Sequence, residues 1–265
     1  MGAHRQRSDP VAARSPALCR FFARYMRRFL QRNFHAIRIA RSGQPRLPPE
    51  RPAIVYTNHP SWWDPALLIV LANTLFAGRP AYGPMDRKGL EKYRFMERIG
   101  IFGVEPGTLR GAAAFRSTGL RILEDPHAML WVTAEGSFTD PRVRPLRLQP
   151  GVAHLMSQAR HAVAVPLALE YPFWDERYPE ALCRFGEPLP GAAAGSVEDW
   201  RRLLEERLTV AMDQLAADAM TRDPGQFEVL LEGAVGIGGV YDAYRHLRAR
   251  LAGRRFHAGH GEPGR

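Results

Sequence analysis

Residues 53–77 read AIVYT, NHP, then SWWDPALLIVLANTLFA. The first five residues, β-branched or aromatic at their centre, read as a buried strand, Ala53 to Thr57. The run from Ser61 to Ala77 is too long for a strand and reads as a helix. A strand passing into a helix through a three-residue loop is half of a βαβ unit. Working outward, the alternation continues. Pro80 to Met85 is a weak strand and Arg87 to Ile99 a polar helix, and a further helix covers Thr108 to Leu123. Ala128 to Ala134 (AMLWVTA) is a strong strand, Gly151 to Arg160 a short helix, and Ala162 to Glu170 and Ala181 to Phe185 are strands. Ser196-x-x-Asp199 is a capping box opening a helix to about Met220. The expected fold class is α/β, a mostly parallel central sheet flanked by helices, with an N-terminal amphipathic helix in front.

The chain has 265 residues, 45% hydrophobic and 24% charged, which excludes a disordered or fibrous protein. Lys and Arg number 37 against 27 Asp and Glu, a net charge of +10. Met1 to Arg51 contains twelve Arg against Asp9 and Glu50 alone, so this segment holds the entire excess. Ser15-Pro16 starts a helix there. Leu18, Phe21, Phe22, Tyr25, Met26, Phe29, Leu30, Phe34 and Ile37 recur at three- and four-residue spacing, with Arg20, Arg24, Arg27, Arg28, Arg32, Arg38 and Arg41 filling the gaps. An aromatic face beside an arginine face is the pattern of an interfacial helix on an anionic membrane surface. A surface helix packed on its own domain has the same pattern. Nucleic acid also attracts positive charge, but so many large apolar residues on one stripe suit acyl chains or a core better, and no nucleic-acid partner is expected. Cys19 and Cys183 make no disulfide framework, which suggests a reduced, intracellular setting. The longest nearly apolar run, Pro65 to Ala77, is too short to span a bilayer, and the first residues lack a signal-peptide core. Three segments are expected: 1–51, basic and membrane-associating with a Pro-rich linker; 52–222, the catalytic domain; and 223–265, a Gly-containing, Arg-rich tail.

The densest chemistry lies in Thr57-Asn58-His59-Pro60-Ser61-Trp62-Trp63-Asp64-Pro65. His59 falls in the loop beyond the carboxyl end of a strand, where α/β sheets bind ligands. Asp64, in the first turn of the helix, can fold back to the imidazole, fix its tautomer and leave the other nitrogen free to take a proton. Ser61-x-x-Asp64 is equally a capping box, with His59 satisfying a backbone group. Trp62 and Trp63 add an apolar wall. In Trp131 to Ser137 (WVTAEGS) a second strand runs into a loop. If the two strands are parallel in one sheet, Glu135 faces the same crevice as His59 and can bind a hydroxyl, with Gly136 allowing close backbone approach. No G-x-S-x-G elbow, Walker loop or H-E-x-x-H is present, Gly236-Ile237-Gly238-Gly239 lacks the rest of a dinucleotide fingerprint, and the nine His form no metal-ligand cluster. His257 and His260 fall in the tail. Neither cysteine has a local partner that would make it a nucleophile.

At His59 to Asp64 the sequence resembles the glycerolipid acyltransferase family, which includes lysophosphatidic acid acyltransferases and whose hallmark is His, four residues, Asp. Asn58, Trp63 and Pro65 resemble the flanking residues. Gly100-Ile101-Phe102-Gly103-Val104 is similar to the family's second block, Glu135-Gly136-Ser137 to its third and Val165-Pro166-Leu167 to its fourth, and Phe185-Gly186-Glu187-Pro188 to a segment that often follows. The resemblance spans about Ala53 to Pro190. It implies transfer of a fatty acyl group from acyl-CoA or acyl carrier protein to a hydroxyl of a lysophospholipid-like lipid acceptor. His59 would be the base and Asp64 its holder, with no cofactor or metal, and the enzyme would sit peripherally on the cytoplasmic face of the cell membrane. Trp63, Glu135, Gly136 and Ser137 become candidate substrate-binding residues. Two departures stand out. Val104-Glu105 is followed by Pro106 where phosphate-using relatives close their second block with arginine, and Phe138 takes the arginine's place after the third. Arg110 or Arg142 could substitute, as could Arg116, Arg144 or Arg147. Otherwise the acceptor carries no phosphate (a glycolipid, an aminolipid or a glycosylated polyene), or the chain is a non-catalytic lipid-binding protein on the same fold.

Overall fold

The structure, a computed structural model, describes residues 9–235. A single turn, α1 (Pro10–Ala13), precedes the long helix α2 (Pro16–Asn33), whose Ser15 N-cap hydroxyl accepts the Leu18 N–H. Strand β1 (Ala36–Ala40) follows, then β2 (Ala53–Thr57), α3 (Asp64–Leu75), β3 (Ala81–Asp86) and α4 (Arg87–Lys92). Next come β4 (Ile101–Val104), α5 (Leu109–Ile122), β5 (Met129–Thr133) and α6 (Gly151–Gln158). The described residues end with β6 (Val163–Glu170), β7 (Glu180–Phe185), β8 (Leu189–Pro190), α7 (Val197–Thr221) and β9 (Phe227–Glu232).

Among the described residues one sheet of nine strands runs β4-β3-β5-β2-β6-β7-β1-β9, with β8 beside β6. The pairs from β4 to β6 are all parallel, and β7 and β1 are parallel to each other but reversed relative to β6. Both faces are covered, so the central strands are apolar throughout. All five residues of β2 are buried. On one face Ile54, Tyr56 and Leu130 pack against α5, α6 and α7, with Trp200 fully buried among them. On the other, Val55, Val165 and Ile37 pack against Leu67 and Leu71 of α3 and Leu30 of α2. This arrangement is the expected α/β fold.

Several elements differ from the sequence reading. The N-terminal helix stops at Asn33, whose side chain bonds the Phe29 carbonyl at 2.7 Å, and Ile37 lies in a strand. Ile37 and Ile39, two apart, point to the core from β1, and Ile37 only happened to continue the helical spacing. Helix α3 begins at Asp64 rather than Ser61. The polar helix at 87–99 divides into α4 and a 3₁₀ turn, Arg94–Ile99. Gly100 ends that turn at φ 94°, where a Cβ would sit 2.5 Å from the Ala81 carbonyl oxygen, and it opens β4. At the other end β9 pairs antiparallel with β1. The sheet therefore draws strands from both sides of the boundaries expected at residues 51 and 222. The rest of the Gly-containing, Arg-rich tail after Val235, with His257 and His260, lies outside the described residues. Among those described, no helix is long and apolar enough to cross a membrane.

Candidate active site

Strands β2 and β5 are parallel neighbours, with Thr57 opposite Thr133, so the loops after them open at the same sheet end. The ladder extends beyond the strands. Ala134 N–H donates to the Thr57 carbonyl at 2.9 Å. Asn58 acts as one more rung toward β6, its amide donating to the Leu169 carbonyl at 3.0 Å and accepting the Leu169 N–H at 2.9 Å. The main chain of His59 is clamped on both sides: its N–H donates to Glu135 Oε2 at 2.6 Å, and its carbonyl accepts the Thr139 N–H at 3.0 Å.

The imidazole is thereby aimed at helix α3. His59 Nδ1 lies 2.6 Å from Asp64 Oδ2. The Asp64 side chain is fully buried, and His59 is 16% exposed. Asp64 Oδ2 also accepts the Ser61 N–H at 3.2 Å, and Oδ1 accepts the Tyr171 hydroxyl at 2.7 Å. Three donors satisfy the buried carboxylate, as a buried charge requires. With Nδ1–H pointed at a carboxylate, Nε2 is the acceptor of the ring. Of the capping box read at Ser61 and Asp64 only half forms: Asp64 Oδ2 accepts the Ser61 N–H, but the Ser61 hydroxyl accepts the Trp63 N–H at 3.3 Å, and Trp63 is the N-cap of α3.

The candidate binding residues are placed unevenly. Glu135 is 7% exposed and its Oε2 holds the His59 backbone, so it braces the base and is not an open hydroxyl site. Gly136, at φ 75°, has Gln149 where a side chain would stand. Ser137 is exposed, and its carbonyl accepts the Thr139 hydroxyl at 3.3 Å. Trp63 turns to the N-terminal helix, with ring centroids 5.3 Å from Phe29 and 5.0 Å from Phe34. Arg110 is exposed in the first turn of α5. Arg142 is forked onto Asp140, at 2.8 and 2.6 Å, and holds that carboxyl well below the usual carboxylate range. Arg144 pairs with Asp213. Among the described residues no hydrogen bond or ion pair joins these arginines to His59 or Asp64. Instead Phe138, 61% exposed, lies over the imidazole with ring centroids 4.4 Å apart. Phe138 and Tyr171 were missed as neighbours of the dyad, and only the substitution of Phe138 for arginine signalled either of them. Among the described residues no three His, Cys, Asp or Glu side chains are grouped to hold a metal ion.

Glu135 yields a pH prediction. Burial raises its pKa above 4.5, opposed by the His59 N–H it accepts. A carboxyl raised on folding takes up a proton, so its contribution is fully present below the ordinary value and is lost as pH rises through the folded one. Glu135→Gln keeps an acceptor for the His59 N–H and removes the buried charge. Urea unfolding is expected to find it at least as stable as the parent at pH 7, with that advantage closing as pH falls through the raised folded value toward about 4.5. Glu135→Ala leaves a buried N–H unpaired and is expected to cost about 1–3 kcal/mol.

A family model described as Acyltransferase matches residues 38–170, half of the chain. The chain belongs to the acyltransferase family and is an acyltransferase. None of the curated proteins matches it in sequence. Among solved structures it is similar to the 1-acyl-sn-glycerophosphate (LPA) acyltransferase PlsC from Thermotoga maritima. The TM-score is 0.54 at 16% identity, over 76% of this chain and 80% of that one, a likeness of fold.

Proposed function

We propose that this acyltransferase moves a fatty acyl group from a thioester, acyl-CoA or acyl carrier protein, to a hydroxyl of a lysophospholipid-like lipid at an anionic membrane surface. The observation that carries the reading is the 2.6 Å contact between His59 Nδ1 and a fully buried Asp64, which leaves Nε2 as the base. His59 Nε2 takes the hydroxyl proton as the oxygen attacks the thioester carbonyl. The C–O bond forms, the C–S bond breaks, and the proton passes from His59 to the departing thiolate. Direct attack needs no acyl-enzyme. It accords with Cys183, fully buried with its thiol pushed far up, and with Cys19, which sits on α2 against the Arg98 carbonyl. The chemistry asks for no metal or redox cofactor.

Membrane association is favoured by what α2 leaves uncovered. Phe21 is 66% and Tyr25 54% exposed, and an aromatic chain runs from Tyr25 through Phe29 to Trp62, itself 67% exposed and three residues from His59. Arg20, Arg24, Arg27 and Arg28 are exposed beside it. A peripheral position on the cytoplasmic face of the cell membrane suits this surface, and the reaction suits a step of phospholipid biosynthesis. Lysophosphatidic acid, the acceptor for which the T. maritima enzyme is named, is a lipid of this class.

One observation favours a non-phosphate acceptor such as a glycolipid: Phe138 covers His59 where phosphate-using relatives have arginine. The test is thiol release from acyl-CoA with lysophosphatidic acid and with a monoacyl glycolipid. If the acceptor lacks phosphate, Phe138→Arg shifts the preference toward lysophosphatidic acid by about 10-fold or more, the effect of one charge-assisted hydrogen bond. Wild-type preference for lysophosphatidic acid refutes that second reading. Thiol release with neither acceptor leaves no support for the acceptor classes named.

A further inference from the structure

We propose that Tyr171 is a positioning residue for the dyad: its hydroxyl holds Asp64 so that the opposite carboxylate oxygen meets His59. The inference rests on the acyl-transfer reading above and adds a residue to it. Tyr171 follows the last residue of β6, at the same sheet end as His59. Its hydroxyl donates to Asp64 Oδ1 at 2.7 Å, while Oδ2 takes His59 Nδ1 at 2.6 Å and the Ser61 N–H at 3.2 Å. The two oxygens of one carboxylate are thus bound from opposite sides, and rotation about its Cβ–Cγ bond breaks both sets of contacts at once. The phenol ring is itself fixed by Phe34, at a centroid distance of 5.7 Å, and Phe34 also packs edge-on against Trp63, the residue before Asp64. Phe34 is the C-cap of α2, so the helix that carries the aromatic stripe ends on the two residues flanking the carboxylate.

The phenol remains a donor through the range in which the enzyme works, because burial and the Asp64 charge beside it push its pKa well above 10. The other titratable groups facing the dyad are Glu135, on the His59 main chain, and Cys183 behind Tyr171, a buried thiol. Neither donates to Asp64 Oδ1 in the hydrogen bonds described.

Tyr171→Phe removes one oxygen and keeps the ring against Phe34. Asp64 then loses a donor, its charge is less dispersed, and the imidazolium beside it is stabilised. The acid limb of the kcat/KM profile for acyl transfer moves to higher pH by about half a unit to one unit. Looser aim of the base lowers kcat roughly 10- to 100-fold, with KM for both substrates within about twofold. The titration midpoint of His59, followed by NMR of ¹⁵N-histidine and assigned with His59→Gln, moves the same way in the absence of substrate. That arm separates the two claims. If the wild-type chain transfers no acyl group, the function reading fails while the His59 midpoint still reports on Tyr171. A midpoint and acid limb unmoved in Tyr171→Phe overturn the proposal, whatever happens to kcat. So does a rise in KM with kcat unchanged, which makes the phenol an acceptor-binding group.

Discussion

A His59→Ala variant is expected to transfer acyl groups about 10²- to 10⁴-fold more slowly than the wild-type chain while melting at nearly the same temperature. The stability half of this expectation comes from the packing. The imidazole stands at the sheet end, partly exposed, the two hydrogen bonds that fix residue 59 are made by its main chain and survive truncation, and the Asp64 Oδ2 it leaves still accepts the Ser61 N–H. The rate half comes from removing the group that takes the proton. Asp64→Asn is expected to lose a comparable factor for a different reason. An amide has one acceptor oxygen where the carboxylate has two, and Asp64 serves the Ser61 N–H, His59 Nδ1 and the Tyr171 hydroxyl with its pair. One of these donors is left facing an N–H₂, the imidazole loses its negative partner, and its tautomer is no longer fixed. Stability falls by about 1–3 kcal/mol for the unpaired buried group, so Asp64→Asn, unlike His59→Ala, lowers activity and melting temperature together. Steady-state rates with matched thermal melts check both. A folded His59→Ala chain turning over at a near-normal rate removes the imidazole from the mechanism.

The second large effect concerns the membrane. Replacing Arg20, Arg24, Arg27 and Arg28 with Gln removes four exposed positive charges from one helix. At about 1 kcal/mol per basic residue near an anionic surface, the loss totals about 4 kcal/mol, or roughly 10³-fold in partitioning. Flotation with phosphatidylserine-containing vesicles is expected to show this loss, and with neutral vesicles to show little change. Raising the salt should weaken the parent toward the variant. Substitution is the cleaner experiment, because deletion through Arg41 also removes β1, whose five residues are all buried between β7 and β9. Undiminished flotation of the four-residue variant places the membrane contact elsewhere on the chain.

Much of this architecture was legible in the residues, for physical reasons that can be named. AIVYT, AMLWVTA and AVAVPLALE are buried on both faces of a parallel sheet, so they are apolar along their whole length and stand out from the polar helices between them. Parallel pairing then fixes which loops share an end, which is why the sequence alone places His59 and Glu135 at one crevice. Four strands escaped: β1, β9 and the short β4 and β8. In β1 Ile37 follows Phe34 at helical spacing, and only the sheet's need for a partner beside β7 decides the matter. FEVLLE of β9 adjoins a glycine run and is half exposed, a weak signal for an edge strand. At the site, His59 and Asp64 stand out because only four residues lie between them, across a strand end and a helix start. Tyr171 is more than a hundred residues from Asp64, and nothing local marks an aromatic residue after a strand as a donor. Glu135 was placed at the correct end but given the wrong partner, since a carboxylate bonded to a distant main-chain N–H has no sequence pattern.

The most direct test of acyl transfer by this dyad is mass spectrometry of the lipids formed when purified wild-type protein and folded His59→Ala are each incubated with acyl-CoA and a lysolipid panel on anionic vesicles. The expected result is a lysolipid heavier by one acyl group, formed with equal release of free CoA by the wild-type chain and slowed by at least about 100-fold in the variant. An acylated lipid formed equally well by both proteins contradicts the account, as does CoA release by the wild-type chain with no acylated lipid.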